Sequence, residues 1–467
     1  MLLGNTAPWY DREDETEGRV PLHAGSDGVE ALAKAAAFVA TLKSLRAAGL
    51  SAESVFTLLR TYAQGSTTHL LRANYERDWV KRFDEVLFGA FEHFAGFALD
   101  DSQRAQATMR LRDGGCAFPS AEATAPRAYM GSWALVLQSV AACVGVTSLE
   151  SFRARCPHTA RTLSLAEGDL RAQGGMGPTP FDWAACLAEP RAKLQGGWGE
   201  TVSERNRKRL LSTLDTDNSN ALRASGGTGA GSWLLPREEG DAPIPDFHYL
   251  VNLRTRLRAA VYAPGALCQH TKEDGSLCGE LLDSKGWHAR KCGCGGSRSY
   301  RHNSLRDWHG PFHTAQTGMF AVTEMHVPAW DRTDPDTGEL EEAILDVCTR
   351  DAASGRPIYI DWSVTCEHST NHSRRQARSG KDGLAATQAV AKKRQRYPPA
   401  GGELVPAVLE SGGRPSDELI AFIRTYGQGL GPADRSAVIS SAWRQISRTL
   451  AVGNAEMLLS AGHCLGS

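Results

Sequence analysis

Residues 343–366 read AILDVCTRDAASGRPIYIDWSVTC, and this stretch decides the fold. Ile358, Ile360, Trp362 and Val364 alternate with Tyr359, Asp361, Ser363 and Thr365, the two-residue period of a strand with one face in a core. Ala343 to Thr349 is a second apolar run of strand length, and Asp351 to Gly355 is the turn between them. Each strand carries one acid, Asp346 on the first and Asp361 on the polar side of the second. A divalent cation such as Mg²⁺ or Mn²⁺ takes oxygen ligands and keeps waters, so two carboxylates from adjacent strands make a candidate hydrolytic site. Taken alone, the same pair is equally the solvated end of two strands.

Working outward, Asn303 to Thr317 predicts a helix and Phe320 to Val327 a strand, on which Glu324 is a third candidate acid. Lys381 to Arg396 predicts a helix stopped by Pro398 and Pro399, Leu404 to Leu409 a fourth strand, and the chain is helical from Pro415. The order α-β-β-β-α-β followed by helices describes a small mixed α/β domain. From Arg374 to Arg396 there are eight Lys or Arg against one acid, Asp382. Such runs are commonly solvated faces, but beside candidate metal ligands this one reads as a phosphate track. Lys392 and Lys393 lie where a lysine could reach a scissile phosphate, and Arg298, Arg301 and Arg306 extend the basic character upstream.

Upstream again, Cys268, Cys278, His288 and Cys292 offer four zinc-type ligands. His288 and Cys292 form a short H-x3-C pair, whereas Cys268 and Cys278 are more widely spaced, with Asp274-Gly275-Ser276 as a possible hairpin tip between them. Cys294 or His302 could serve as the fourth ligand instead, and the bland reading is four unrelated reduced cysteines. A structural Zn²⁺ is the simplest way to fold a segment with so little apolar content.

The first half of the chain is helical in pattern. Helices are expected from Ala31 to Leu50, from Ser51 onward, from Asp78 to Phe97 with an interruption at Gly89, and from Pro126 onward, with further helices at 166–173, 180–195 and 200–214. Ser225 to Gly231 reads as a flexible hinge, since no Gly-Lys-Ser/Thr follows to make it a phosphate loop. Asp215 to Ser219 reads as a helix-terminating turn, because it lacks the glycine and glutamate of a calcium loop. Asp246 to Ala260 is a basic helix. With 41% apolar and 22% charged residues and a net charge of −1, nucleic-acid affinity would have to come from local clustering. Eleven cysteines, no secretory h-region and no apolar run of membrane length lead us to expect a soluble, intracellular protein with reduced thiols.

With these residues in view, the chain resembles the C-terminal part of a non-LTR retrotransposon polyprotein that ends in a restriction-like endonuclease. The stretch from Ala105 through Gly115 to Ser132 resembles the region after a reverse transcriptase thumb, and Gly229 to Leu234 its small-residue-Trp-Leu connector. Cys268, Cys278, His288 and Cys292 with Arg301-His302-Asn303 resemble its CCHC knuckle and Arg-His step. Asp346, Asp361 and Lys393 to Tyr397 resemble the PD…D…K-x-x-K-Y pattern, and Asn454 to Leu458 the closing helix. Leu345 replaces the Pro of the PD pair, Arg396 the second Lys, and Cys116-Ala117-Phe118 the Leu-Gly-Leu after Gly-Gly. No Tyr/Phe-x-Asp-Asp palm motif is present, so the resemblance implies an element product without a polymerase centre.

The resemblance implies a multi-domain protein: a disordered N-terminus (1–25), an all-α thumb-like region (26–155), a helical connector (156–260), a zinc knuckle (261–304) and a restriction-like α/β domain (305–467). It implies catalysis by Asp346, Asp361 and Lys393 or Lys392 with Glu324, and nucleic-acid contacts from Arg301, His302, Arg306, Arg394, Arg396 and Tyr397. DNA, and also element RNA, would be the partners, without a membrane and in the nucleus. The alternatives are a catalytically dead nucleic-acid-binding remnant and a helical interaction protein with incidental cysteines.

Overall fold

The computed structural model describes residues 24–334, 337–351 and 353–465, so residues 1–23 of the stretch expected to be disordered lie outside the described residues. The protein is mostly helical, with a small mixed sheet toward its C-terminal side and a Cys/His cluster. It divides into two compact units, one of Met1–Leu50, Ser54–Ala98 and Phe118–Arg209, the other of Ser51–Glu53, Leu99–Ala117 and Leu210–Ser467. No helix among the described residues is long and apolar enough to cross a membrane.

The first unit is all-α. Tyr129, Met130, Leu137, Phe152, Leu163, Leu170 and Trp183 form one of its cores. Gly89 does not interrupt the helix Arg77–Ala95. Pro126 lies inside the helix Ala121–Cys143 rather than opening it. That helix starts where the Ser120 hydroxyl accepts from Ala123 N–H (3.0 Å) and the buried Asp84 carboxylate accepts from Ala121 N–H (2.7 Å). The helix expected over 180–195 shrinks to Trp183–Ala188, with Pro190 just beyond it.

In the second unit the expectations for the connector need correction. Asp215 does not end a helix but caps a new one, Thr216–Ala224, accepting from Asn218 N–H at 2.7 Å. Arg254, Arg256 and Arg258 belong to the interior, each 4–6% exposed. Arg256 donates to the Gly115 carbonyl and Arg258 to Gln106 Oε1. The stretch 225–231 is a packed loop, not an open hinge: Ser225, Ala230 and Gly231 are buried. Gly229 sits at φ +72° against Trp443, where an added Cβ would come within 2.5 Å of the indole.

The C-terminal part carries the expected order. Helix α1 (Ser297–Thr317) precedes β1 (Val322–His326), β2 (Ile344–Arg350) and β3 (Pro357–Thr365). Helices α2 (His372–Gly380) and α3 (Leu384–Arg396) cross to β4 (Glu403–Glu410), and α4 (Asp417–Thr425) and α5 (Pro432–Ala461) follow. A two-residue ribbon, Arg332–Thr333 with Leu340–Glu341, was not anticipated. The sheet order is β1-β2-β3-β4, antiparallel except for the parallel β3/β4 pair. One face is covered by α1, α4 and α5 through Leu305, Trp362, Ile360, Phe422 and Ile446. On the other, Ala386 and Val390 of α3 pack on Val408. Each buried Leu, Ile, Val or Phe among them contributes about 1.5–3 kcal/mol.

Two boundaries differ from expectation for reasons of glycine. α1 starts six residues early because Gly295 and Gly296 turn the chain at φ +80° and +75°, so Arg301 and His302 lie on a helix and not in a knuckle loop. The expected helix 381–396 begins three residues late, at Leu384, because Gly383 holds φ +70° ahead of it, and α2 precedes it as a helix the sequence did not suggest.

Beneath the sheet runs a directional chain of hydrogen bonds. Trp362 Nε1 can only donate, and it donates to His309 Nδ1 (2.9 Å). His309 is fully buried, which pushes its pKa down to about 3 and keeps it neutral. Its Nε2 must then carry the proton and donate to Tyr426 OH (2.7 Å). Tyr426 in turn donates to His313 Nδ1 (3.1 Å), and His313 Nε2 to Thr349 Oγ1 (3.0 Å). Thr349 donates to the Phe320 carbonyl (3.1 Å), where the chain ends.

Two tests follow. Gly229→Ala should destabilise the second unit by about 2–3 kcal/mol in denaturant unfolding, from overpacking against Trp443 and a left-handed backbone. A flexible hinge would tolerate it. Glu410 is buried and accepts from Ala385 and Ala386 N–H at the start of α3. Burial pushes its pKa from 4.5 up to about 7, against the pull of Arg414. The unfolded chain releases this proton near pH 4.5 and the folded chain near 7, so this group's contribution to stability falls as pH rises across that window. Glu410→Gln should leave the melting temperature unchanged at pH 4 and raise it at pH 8, with a gain of at most about 3 kcal/mol.

Candidate active site and metal centre

The ladder between β2 and β3 runs from Arg350↔Pro357 to Val347↔Ile360. One step further Asp346 and Asp361 stand opposite each other, and there a side chain takes over from the backbone. Trp362 N–H donates to Asp346 Oδ2 (2.6 Å), and the other Asp346 oxygen meets His302 Nε2 (2.7 Å). Asp361 forms a close ion pair with Lys393, whose ammonium also donates to the Trp362 carbonyl at 3.2 Å. The two aspartates are 7% and 8% exposed. Burial pushes Asp361 up to about 6 against the pull of Lys393, with Asp346 adding to the push. Burial also works on Asp346, but His302, the Trp362 amide and Lys393 outweigh it and hold that carboxylate below its usual range. The result is two adjacent carboxylates of unequal acidity, one paired with a lysine and the other with a histidine.

The other candidate residues fall into different places. Glu324 stands at the position opposite Asp346 in the β1/β2 register, where the pairing skips a step and its own φ is +55°. Its side chain is exposed and paired with Arg306, which also holds Asp307. Lys392 is exposed. Arg394 pairs with Glu418 at 3.0 Å. Arg396 is a tether, hydrogen-bonded to the Trp330 carbonyl (2.5 Å) and close to Glu341. Tyr397 packs on Trp330, with ring centroids 5.3 Å apart. Arg301 is not a surface contact: it is 3% exposed, lies against Gly453 of α5 and donates to Asn454 Oδ1 (2.7 Å). Within the basic run, Arg378, Lys393 and Arg396 are held by internal partners, whereas Arg374, Lys381, Lys392 and Arg394 are exposed.

Sequence reasoning cast His302 as a backbone contact and missed its bond to Asp346. The signal was available: His302, His309 and His313 are seven and four residues apart, which places them along one face of α1. The Arg290–Glu367 pair was also missed. Arg290 is 6% exposed, and its guanidinium holds Glu367 (3.0 Å) and Ser411 Oγ (3.0 Å).

The Cys/His cluster is built by a hairpin and a short helix. Bridges Leu267↔Leu281 and Thr271↔Leu277 close the hairpin over the tip expected at Asp274-Gly275-Ser276. The Asp283 carboxylate accepts from Trp287 N–H (3.0 Å) and His288 N–H (2.7 Å), starting the turn that presents His288 and Cys292. The ligand atoms of Cys268, Cys278, His288 and Cys292 lie within 4.8 Å of one another. A tetrahedron with zinc–sulfur bonds of about 2.3 Å and zinc–nitrogen bonds of about 2.0–2.1 Å has sulfur–sulfur edges near ~3.8 Å and sulfur–nitrogen edges near ~3.6 Å. The observed Cys278–Cys292 and Cys268–Cys292 separations are 3.8 and 4.0 Å, and Cys278 Sγ to His288 Nε2 is 3.5 Å. The group could hold a metal ion and is compatible with a structural zinc. Of the alternative fourth ligands, His302 is occupied by Asp346, and Cys294 lies outside the group.

Purified protein should carry about one equivalent of zinc, by metal analysis and by the absorption of a cobalt-substituted form. Cys292→Ser should lose the metal and expose 265–304 to hydrogen exchange while the first unit stays protected. Cys294→Ser should keep full occupancy; metal loss there would displace His288 as the ligand.

No protein-family model matches this sequence and no curated protein matches it.

Proposed function

We propose that the second unit is a metal-dependent DNA endonuclease of the restriction-like kind, the C-terminal portion of a retroelement protein, carrying a structural zinc. The observation that carries this reading is the opposition of Asp346 and Asp361 on adjacent strands, with Lys393 brought to Asp361 from the following helix. The order helix, three antiparallel strands, two crossover helices and parallel strand supports the restriction-like domain that the sequence resembles. Many metal nucleases place a lysine two residues beyond the second acid, where this chain has Ser363, and Lys393 supplies an ammonium from α3 instead.

The donor set fits a hard cation: two converging carboxylates, one of them made costly to ionise by burial and by its neighbour. Asp346 and Asp361 would hold Mg²⁺ or Mn²⁺, which when bound supplies Lewis-acid polarisation of the phosphate and a more acidic water. Lys393, within reach of Asp361, would meet the negative charge that develops on the phosphate. His302 fixes the orientation of the Asp346 carboxylate and can hold a proton at Nε2. DNA is the substrate class, element RNA a further partner, and a nuclear site follows from that reading. The second reading, a binding remnant without turnover, draws on Leu345 and Ser363.

Nicking of supercoiled plasmid with Mg²⁺ or Mn²⁺ separates the two. Asp361→Asn should reduce nicking at least about 10³-fold while DNA binding is equal or tighter, because a negative charge is removed from the phosphate's path. Lys393→Ala should slow cleavage with little change in metal affinity. Absence of metal-dependent nicking by the wild-type protein on any plasmid would leave the binding remnant as the answer.

A further inference from the structure

Beside the acid pair, on the far side of His302, lies a cleft of about 390 Å³ lined by Gly293, Gly296, Arg298, Arg301, His302 and Ser363 among others. No carboxylate lines it, and several of its lining groups are donors without an acceptor. Helix α1 begins there, with Gly296 as its cap and no side chain accepting from its first turn. The opening N–H groups of a 21-residue helix are thus left to a ligand or solvent, with the positive end of its dipole behind them. Arg301 is 3% exposed, yet its Nε has no hydrogen-bond partner. The Ser363 hydroxyl is shielded from solvent and has none either. Arg298 stands exposed at the rim and forms no ion pair among the described residues. An orphaned buried donor is costly, so a cleft that collects such donors favours a ligand rich in acceptors and negatively charged.

Its position narrows the ligand. Ser363 is two residues beyond Asp361 on the same strand, and His302 both lines the cleft and bonds Asp346. We infer that this cleft binds a single phosphodiester of a nucleic-acid strand, the one neighbouring the phosphate held at the acid pair. Arg298 and the first amides of α1 bind its free oxygens, and the Ser363 hydroxyl donates to it from the side of the sheet. The assignment to a neighbouring phosphate rests on the endonuclease reading; the binding of a strand phosphate in the cleft does not.

The test uses the full-length protein without divalent cation, so that cleavage plays no part. A fluorescein-labelled five-nucleotide oligothymidylate is titrated by anisotropy, with hydrogen exchange followed over 293–303 and inorganic phosphate as a separate probe. The oligothymidylate should protect the amides of 297–299. Arg298→Gln should weaken it about tenfold, the lower end for a charge-assisted hydrogen bond, Ser363→Val about three- to fivefold, and Arg298→Lys less than Arg298→Gln. Unchanged affinity in both Arg298→Gln and Ser363→Val, or no protection of 297–299, overturns the inference. Protection by inorganic phosphate but not by the oligothymidylate also overturns it, because the cleft would then take a free anion. A wild-type protein that binds as described but never nicks DNA fails only as a nuclease.

Discussion

A carboxylate withdrawn from water must be met by donors or by a cation, and the second unit is organised around that requirement. Asp346 draws in His302 from α1 and the Trp362 amide from β3. Glu367 draws in Arg290 from beside the Cys/His cluster and Ser411 from the end of β4. Glu410 holds the first amides of α3, and Glu53 binds Arg448 of α5 across 395 residues of sequence. Each buried acid thus ties together segments distant in the chain. Where the partner is a cation, as for Glu367 with Arg290 and Glu53 with Arg448, removing one member leaves the other charged and unpartnered, at a cost of about 3–5 kcal/mol, so these pairs specify the arrangement more than they add to stability.

The same requirement links the Cys/His cluster to the sheet. Arg290 sits two residues from both His288 and Cys292, so the segment that presents two of the four candidate ligands is anchored to Glu367 and Ser411. From Cys292 the chain needs only four residues to reach α1, which carries His302 to Asp346. The position of the acid pair therefore depends on a segment that has little apolar core of its own.

Much of the C-terminal architecture was legible because its strands alternate cleanly and its turns are marked by glycine. The Ile358 to Val364 pattern placed Asp361 on the correct strand and on its polar side. The four clustered ligands were legible from residue type alone. What was not legible depended on tertiary partners. Arginines at 254, 256, 258 and 301 looked like a basic surface, but Gln106, the Gly115 carbonyl and Asn454 draw most of them inside. The glycines at 225–231 looked soft because their composition is that of a linker; only the approach of Trp443 explains them as close packing. Helix α1 was expected to start late, since two consecutive glycines with positive φ can end a loop as well as continue one.

The hydrogen-bonded series from Trp362 through His309, Tyr426, His313 and Thr349 to the Phe320 carbonyl has one sense of direction. Its first member can only give a proton and its last can only receive one, so none of the residues between is free to turn around. Substitutions at these positions are therefore coupled: a replacement that reverses one polarity strands a buried donor or acceptor at its neighbour. The tolerable routes are changes in concert or the exchange of the whole series for apolar groups. A layer of the core beneath the acid pair thus behaves as one chemical unit spread over five positions.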